Sequence, residues 1–326
     1  MTSPALQVQD LEIVTPNGTR LVSGMTFEVS AGHLLGLLGE TGAGKTLTAR
    51  AVLGLLPRTL RASGKVSFDG RTWHALDHPE EVTHLLGTST GLMLQNPAAA
   101  FDPMHRVGRQ LIESVVHKRL MTRREATYRA RELCEYLGLS DTDELFQLYP
   151  HELSGGMAQR LALALTLMPR PKLIVVDEPT SALDANLRVE ALRLLRSIAE
   201  ESGMAALLVS HDLGLVSRYC DSIAIVYAGR LVEYGSMTAV ISAPTHPYTA
   251  TLLNCGLTLD RPSRIRLPVI AGEPPSPGNW PSGCSFHPRC PDAQDHCGDE
   301  RPLLTNDHDR GYACHHPRRE GRTCEI

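Results

Sequence analysis

Aromatic residues are scarce in this chain: they make up 5% of its 326 residues, and none lies between Met1 and Met25. The N-terminal stretch therefore offers no ring for a stacked ligand. Long apolar runs are missing too. The longest, such as Leu173–Val176, are far too short to span a bilayer. Any pore this chain serves must belong to another polypeptide. Met1–Asp10 lacks the charged-then-apolar pattern of a signal peptide, so a soluble, cytoplasmic chain is expected. An excess of positive charge is also absent. A net charge of -4 gives no global basic footprint, and no nucleic-acid partner is expected.

What is present is an alternation of strand-like and helix-like segments up to about Leu253. His33–Leu38 is a short apolar run, and Thr46–Leu56 has helical spacing and stops at Pro57. Val66–Phe68 and Arg71–Trp73 flank Asp69-Gly70, a hairpin signal. Leu111–Leu137 is charge-rich and helical, Leu173–Val176 and Met204–Ser210 read as buried strands, and Leu187–Glu200 as an amphipathic helix. Ile223–Val226 and Leu231–Tyr234 read as a second hairpin. Beyond Leu257 prolines become frequent and long periodic segments vanish. The expected organisation is a nucleotide-binding domain over residues 1–256 and a small loop-rich appendix over 257–326.

GETGAGKT, Gly39–Thr46, fits the phosphate-loop pattern G-x-x-x-x-G-K-[ST] between a strand and a helix. Gly39, Gly42 and Gly44 let the backbone curl so that its amides face phosphate oxygens. Lys45 supplies a charge to the β- and γ-phosphates, and the Thr46 hydroxyl suits Mg²⁺. In LIVVDEP, Asp177 emerges at the carboxyl end of a buried strand, where it can hold Mg²⁺. Glu178 follows and can polarise the attacking water. Gln95 and His211 end apolar stretches, and both types can bond a metal-bound water or the γ-phosphate. LSGGM, Leu153–Met157, places a serine and two glycines at a helix start, an anion-binding device. One domain already has its phosphate loop, so this second element suggests a second ATP facing a second subunit.

In this order the motifs make the chain resemble the ATPase subunits of ABC transporters across Met1–Leu253. The resemblance implies an α/β P-loop cassette: a RecA-like parallel-sheet core, an antiparallel β subdomain and an α-helical subdomain. Gly39, Glu40, Thr41, Gly42, Ala43, Gly44, Lys45 and Thr46 look like Walker A, and Gln95 like the Q-loop, the latter also near Mg²⁺. Ser154, Gly155 and Gly156 look like the signature, Asp177–Glu178 like Walker B, Ser181–Asp184 like the D-loop and His211 like the switch histidine. The resemblance implies a head-to-tail dimer with ATP held between Walker A of one subunit and the signature of the other. Two departures stand out. Met157 replaces the glutamine that often ends the signature. The family's adenine-stacking aromatic is missing, and Phe27 sits in an apolar phase suited to the core. Weaker nucleotide affinity is the expectation.

Three of the eight cysteines, Cys134, Cys220 and Cys255, are scattered, whereas Cys284, Cys290, Cys297, Cys314 and Cys324 crowd the last part. THPYT (Thr245–Thr249), RLPVIAGEPP (Arg266–Pro275) and GCSFHPRC (Gly283–Cys290) resemble the C-terminal region of the oligopeptide, dipeptide and nickel importer subfamily. Cys284, Cys290, Cys297 and Cys314 are separated by 5, 6 and 16 residues, without the short C-x₂₋₄-C of structural zinc. Four thiolates on a proline-rich loop can hold an iron–sulfur cluster, and some subfamily members are understood to carry [4Fe–4S] here. Zn²⁺ with His287, His296 or His315, and free thiols in a tail, are the other readings.

The subfamily implies a motor at the cytoplasmic face of the membrane, working with two transmembrane permease subunits, a second ABC ATPase that is a paralogue, and an extracytoplasmic substrate-binding protein. The cysteine appendix points to di- or oligopeptide cargo. QNPAAAFDPMH, Gln95–His105, points instead to nickel or a metal chelate. A soluble, non-transport ABC ATPase is the remaining alternative, and neither a second cassette nor a long coiled-coil insertion is visible.

Overall fold

The computed structural model describes residues 4–74, 82, 84–93, 97–177, 185–255, 270–307 and 310–318. Its contacts divide the chain into two compact units. The first comprises Met1–Leu6, Val29–Leu34 and His78–Leu208, and the second Gln7–Glu28, Leu35–Asp77 and Val209–Ile326.

The first unit joins a parallel strand pair to a helical region. β6 (Thr90–Met93) runs parallel to β7 (Leu173–Asp177), with Thr90 opposite Leu173. β7 neighbours β8 (Ala205–Ser210). The side chains of Leu173–Val176 and of all β8 residues are buried, which is why both read as continuous apolar runs. The charge-rich stretch predicted as one helix is two: α2 (Val107–His117) and α3 (Arg123–Tyr136). The break is chemical. Arg119 adopts a positive φ of 57°, its amide bonds Val116 O, and the Leu120 amide bonds Val115 O, a Schellman stop. Thr122 then caps α3 in a capping box with Glu125. α4 (Thr142–Leu145), α5 (Gly155–Leu167) and α6 (Ala185–Ser202) complete the unit. Leu111, Val115, Ala130, Leu133 and Leu161 form its helical core, each at most 4% exposed.

The second unit holds two sheets. One has the order β2-β1-β4-β5, from β1 (Leu6–Val14), β2 (Arg20–Val29), β4 (Arg61–Phe68) and β5 (Arg71–His74). β4 and β5 form the hairpin expected from Asp69-Gly70, with Phe68 opposite Arg71. In the other, β3 (Leu34–Leu38) pairs parallel with β9 (Ser222–Tyr227), and β9 pairs antiparallel with β10 (Arg230–Ser236). The loop-rich appendix adds two short strands: β12 (Arg310–Tyr312) joins β10 antiparallel, and β11 (Thr305–Asp307) joins β12. α1 (Lys45–Val52) follows β3 and is shorter than its spacing predicts. Gly54 at φ 67° sends its amide to Ala51 O and the Leu55 amide to Arg50 O, closing the helix before Pro57 is reached. α7 (Leu213–Tyr219), α8 (Met237–Ser242) and α9 (Pro247–Cys255) complete the unit. Among the described residues, no helix is long and apolar enough to cross a membrane.

Candidate functional site

Gly39–Thr46 curls between β3 and α1 in the second unit. Gly42 and Gly44 take φ of 82° and 96°, a region costly for any side chain. At Gly39 the constraint is space, since a Cβ there would sit 2.1 Å from Val226 O. Lys45 is 4% exposed, and its ammonium donates to Gly39 O at 2.8 Å and Glu40 O at 3.0 Å. The charge thus lies within the ring of the loop, where a phosphate would meet it. Ala43 is buried, Thr41 is exposed and Thr46 is half-buried on the first turn of α1.

The other expected groups are distributed as follows. His211 is exposed in the second unit, just before α7, whose start is capped by Asp212 accepting from the Leu215 amide at 3.1 Å. In the first unit Asp177 ends β7, half-buried. Ser154 caps α5, accepting from the Met157 amide at 3.3 Å, and Ser154 and Gly155 are exposed. Gln95, Glu178 and Asp184 lie outside the described residues. Phe27 is 5% exposed, a core residue as its phase implied.

Sequence reasoning singled out THPYT without a role for it. Glu233, fully buried on β10, accepts from the Thr245 amide at 2.7 Å and the His246 amide at 2.9 Å. Burial pushes the Glu233 carboxyl up and pulls His246 down to about 3. The neutral His246 ring accepts from the Tyr248 amide at Nδ1. Tyr248, so placed, turns its hydroxyl to accept the Glu40 amide at 3.1 Å. The motif therefore braces the phosphate loop.

Cys284, Cys290, Cys297 and Cys314 line one cavity together with Phe286, Asp292 and four histidines, His246, His287, His315 and His316. Burial pushes the Cys284 thiol up, Cys290 to about 11 and Cys314 to about 12. A metal entering here would have to displace thiol protons. The Phe286, Asp292 and His316 amides beside Cys284, Cys290 and Cys314 oppose that rise, and the His287 amide bonds the Cys284 carbonyl at 2.9 Å. Among the described residues, the group with ligand atoms all within 4.8 Å of one another is His296, Cys297 and His316, not the four thiols. A single tetrahedral zinc would draw its sulfurs to about 3.8 Å apart. Among the described residues, the four thiols are thus not drawn together as one tetrahedral zinc would hold them.

The strand, glycine cradle and following helix define a P-loop nucleotide-binding protein. Comparison with known families narrows the class. The family model described as "ABC transporter" matches residues 22–181, and that described as "Oligopeptide/dipeptide transporter, C-terminal region" matches 232–297. The oligopeptide transport ATP-binding protein OppD of Salmonella typhimurium is 37% identical over 316 residues, covering 96% of this chain and 93% of that protein. The probable D,D-dipeptide transport ATP-binding protein DdpD of Escherichia coli is 37% identical over 328 residues, covering 98% and 99%. The structure of cbiO1 from Clostridium perfringens, part of the ABC transporter complex cbiONQ, superposes with a TM-score of 0.65 at 24% identity, covering 74% of this chain and 92% of that one. At that identity the likeness speaks for the fold. The chain belongs to the oligopeptide/dipeptide family of ABC transporter ATP-binding subunits, with the α/β P-loop cassette fold and ATPase activity of that class.

Proposed function

We propose that this chain is the ATP-hydrolysing motor of an importer for di- or oligopeptides, seated at the cytoplasmic face of the membrane. The observation that carries the reading is the pairing of a complete phosphate loop with an oligopeptide-type C-terminal region in one chain. The names of two relatives, an oligopeptide and a dipeptide transport ATP-binding protein, support the cargo class. Two permeases, a paralogous second ATPase and an external binding protein complete the machine. Within the chain, residues 1–256 serve as the nucleotide-binding domain and 257–326 as the extension. Thr46 and Asp177, with Gln95, hold Mg²⁺; Lys45 and the loop amides hold the phosphates; Glu178 and His211 act on the attacking water and γ-phosphate; Asp184 contributes at the dimer seam. Uptake of labelled dipeptide that survives Glu178→Gln would overturn the motor assignment.

Nickel or a metal chelate is the second cargo, favoured by AFDPMH. In the structure Phe101 is buried in the helical region at 5% exposure, whereas Met104 is 78% exposed on a turn held by Asp102, whose carboxylate accepts the Met104 amide at 2.8 Å. Met104 is thus available to a permease, while Phe101 serves packing. Labelled nickel uptake, lost in Glu178→Gln while dipeptide uptake persists, would decide for the metal.

The extension is read as a [4Fe–4S] module on Cys284, Cys290, Cys297 and Cys314, supported by their shared cavity and the amides beside three of the cysteines. Such a cluster would staple a segment with little core of its own. Zn²⁺ on His296, Cys297 and His316 is the competing reading, supported by the closeness of those three groups. Protein purified without oxygen should be brown and contain iron; a colourless protein with zinc would favour the second.

A further inference from the structure

We propose that Arg289 is a positioning residue of the phosphate loop, and that through it nucleotide binding at Gly39–Thr46 depends on the integrity of the cysteine module.

Arg289 lies in the short turn His287–Arg289, immediately before Cys290 and five residues after Cys284. Its guanidinium grips Glu40, the second residue of the phosphate loop, with both arms: Nη1 donates to Oε2 at 2.7 Å and Nη2 to Oε1 at 3.1 Å. Nη1 also reaches the Tyr227 hydroxyl at 3.2 Å, and Nε donates to Ala271 O at 2.8 Å. The side chain is 5% exposed against 24% for Glu40, so this is no solvated surface pair. Every arm of the fork is used, a geometry that lysine cannot reproduce.

The consequence falls on one residue of the loop. The Glu40 amide bonds the Tyr248 hydroxyl, its carbonyl accepts the Lys45 ammonium, and its carboxylate is held by Arg289. The carbonyl bond links the shape of the loop directly to the position of the phosphate-binding charge. Behind the pair, Phe286, 1% exposed, wedges against Tyr227 and Tyr248 with ring centroids 5.2 Å from each. The loop Gly283–Cys290 thus delivers both the wedge and the guanidinium, and its position is set at each end by a cysteine. Releasing those cysteines frees the turn that carries Arg289. Glu40 is then left without its buried partner, a costly state that the loop relieves by moving. This second half of the proposal rests on the reading of the four cysteines as one metal-bound centre.

The experiment uses the purified full chain. The dissociation constants of MgATP and of inorganic tripolyphosphate, amide hydrogen exchange of the peptide spanning Gly39–Thr46, and bound iron are measured together. Arg289→Ala should weaken both ligands about tenfold, the scale of one charge-assisted hydrogen bond, and speed exchange in the loop. Arg289→Lys should recover only part, and the double exchange Glu40→Arg with Arg289→Glu should return affinity to within about threefold of the original chain. A purely structural staple would lower the melting temperature without this pattern of rescue. Wild-type affinity in Arg289→Ala, or full affinity in Arg289→Lys should the alanine variant fail to fold, overturns the positioning role. Stripping iron with a chelator should bring the wild type to the Arg289→Ala affinity and leave that variant unchanged. Undiminished affinity after stripping overturns the dependence on the cysteines. A chain that carries no iron as purified overturns the cluster reading and the dependence with it, while the charge exchange still decides the role of Arg289.

Discussion

Two glycine-bearing loops precede helices in this chain, and they are finished in opposite ways. Gly39–Thr46 is closed on itself, with Lys45 buried and bonded to the loop's own carbonyls, and Glu40 held from three sides. Leu153–Met157 leaves Ser154 and Gly155 exposed at the start of the 13-residue helix α5, with only the Met157 amide capped by the serine. In the role proposed for it, the first loop holds an anion unaided. The second presents backbone amides and a hydroxyl outward, where an anion can be brought to them by another molecule. Similar local chemistry thus stands in two settings, and what separates them is how much of the surrounding protein closes over each loop.

The largest expected effect comes from breaking the closed loop. Lys45→Ala removes the buried charge and should weaken ATP binding by the isolated chain about 100-fold or more, as titration calorimetry would show. Affinity within a factor of a few would mean that the loop holds phosphate without its lysine. The open loop should respond differently. Ser154→Arg should leave ATP binding by the single chain unchanged, yet slow hydrolysis by the assembled transporter about thirtyfold, by filling the space an incoming phosphate needs. A loss of binding in the single chain would erase the distinction between the loops. Gly39→Ala is a milder break of the first loop. The added methyl meets Val226 O at 2.1 Å, so the backbone must shift at a cost of about 1–3 kcal/mol; a thermal melt at the wild-type temperature would show that β9 yields freely. The smallest effect sharpens the first loop. Val14 is half-buried at the end of β1, and Val14→Tyr should tighten ATP binding about fivefold by restoring a stacking ring. An unchanged dissociation constant would place the base elsewhere. One place to look is Trp280, whose ring packs against Gly229, itself bonded to Ala43 of the loop through its amide at 3.0 Å.

Much of the fold was legible before any coordinates. Apolar runs such as Leu173–Val176 and Met204–Ser210 became buried strands, and Asp69-Gly70 became a hairpin turn. Helix ends were less legible, because the stop after Val52 and the break after His117 depend on a left-handed residue and two backbone bonds, not on hydrophobic period. The placing of Gly39–Thr46 between a strand and a helix could be read from the motif. The roles of Tyr248, Glu233 and Arg289 could not, since the bonds from Tyr248 and Arg289 to Glu40 span 208 and 249 residues.

The sequence by itself determined the chemistry that consecutive residues can make alone. A phosphate cradle is built from successive amides, so its spacing suffices to define it, and likewise the order of its companion motifs names the class. The tertiary structure decided everything that needed distant segments to meet. The closing of four cysteines around one cavity, the return of β12 to β10, and the grip of Arg289 on Glu40 all arise because described residues after 270 pack against earlier strands and loops of the same unit. No periodicity records such a return. It is set by which buried charges and rings find partners once the chain has closed.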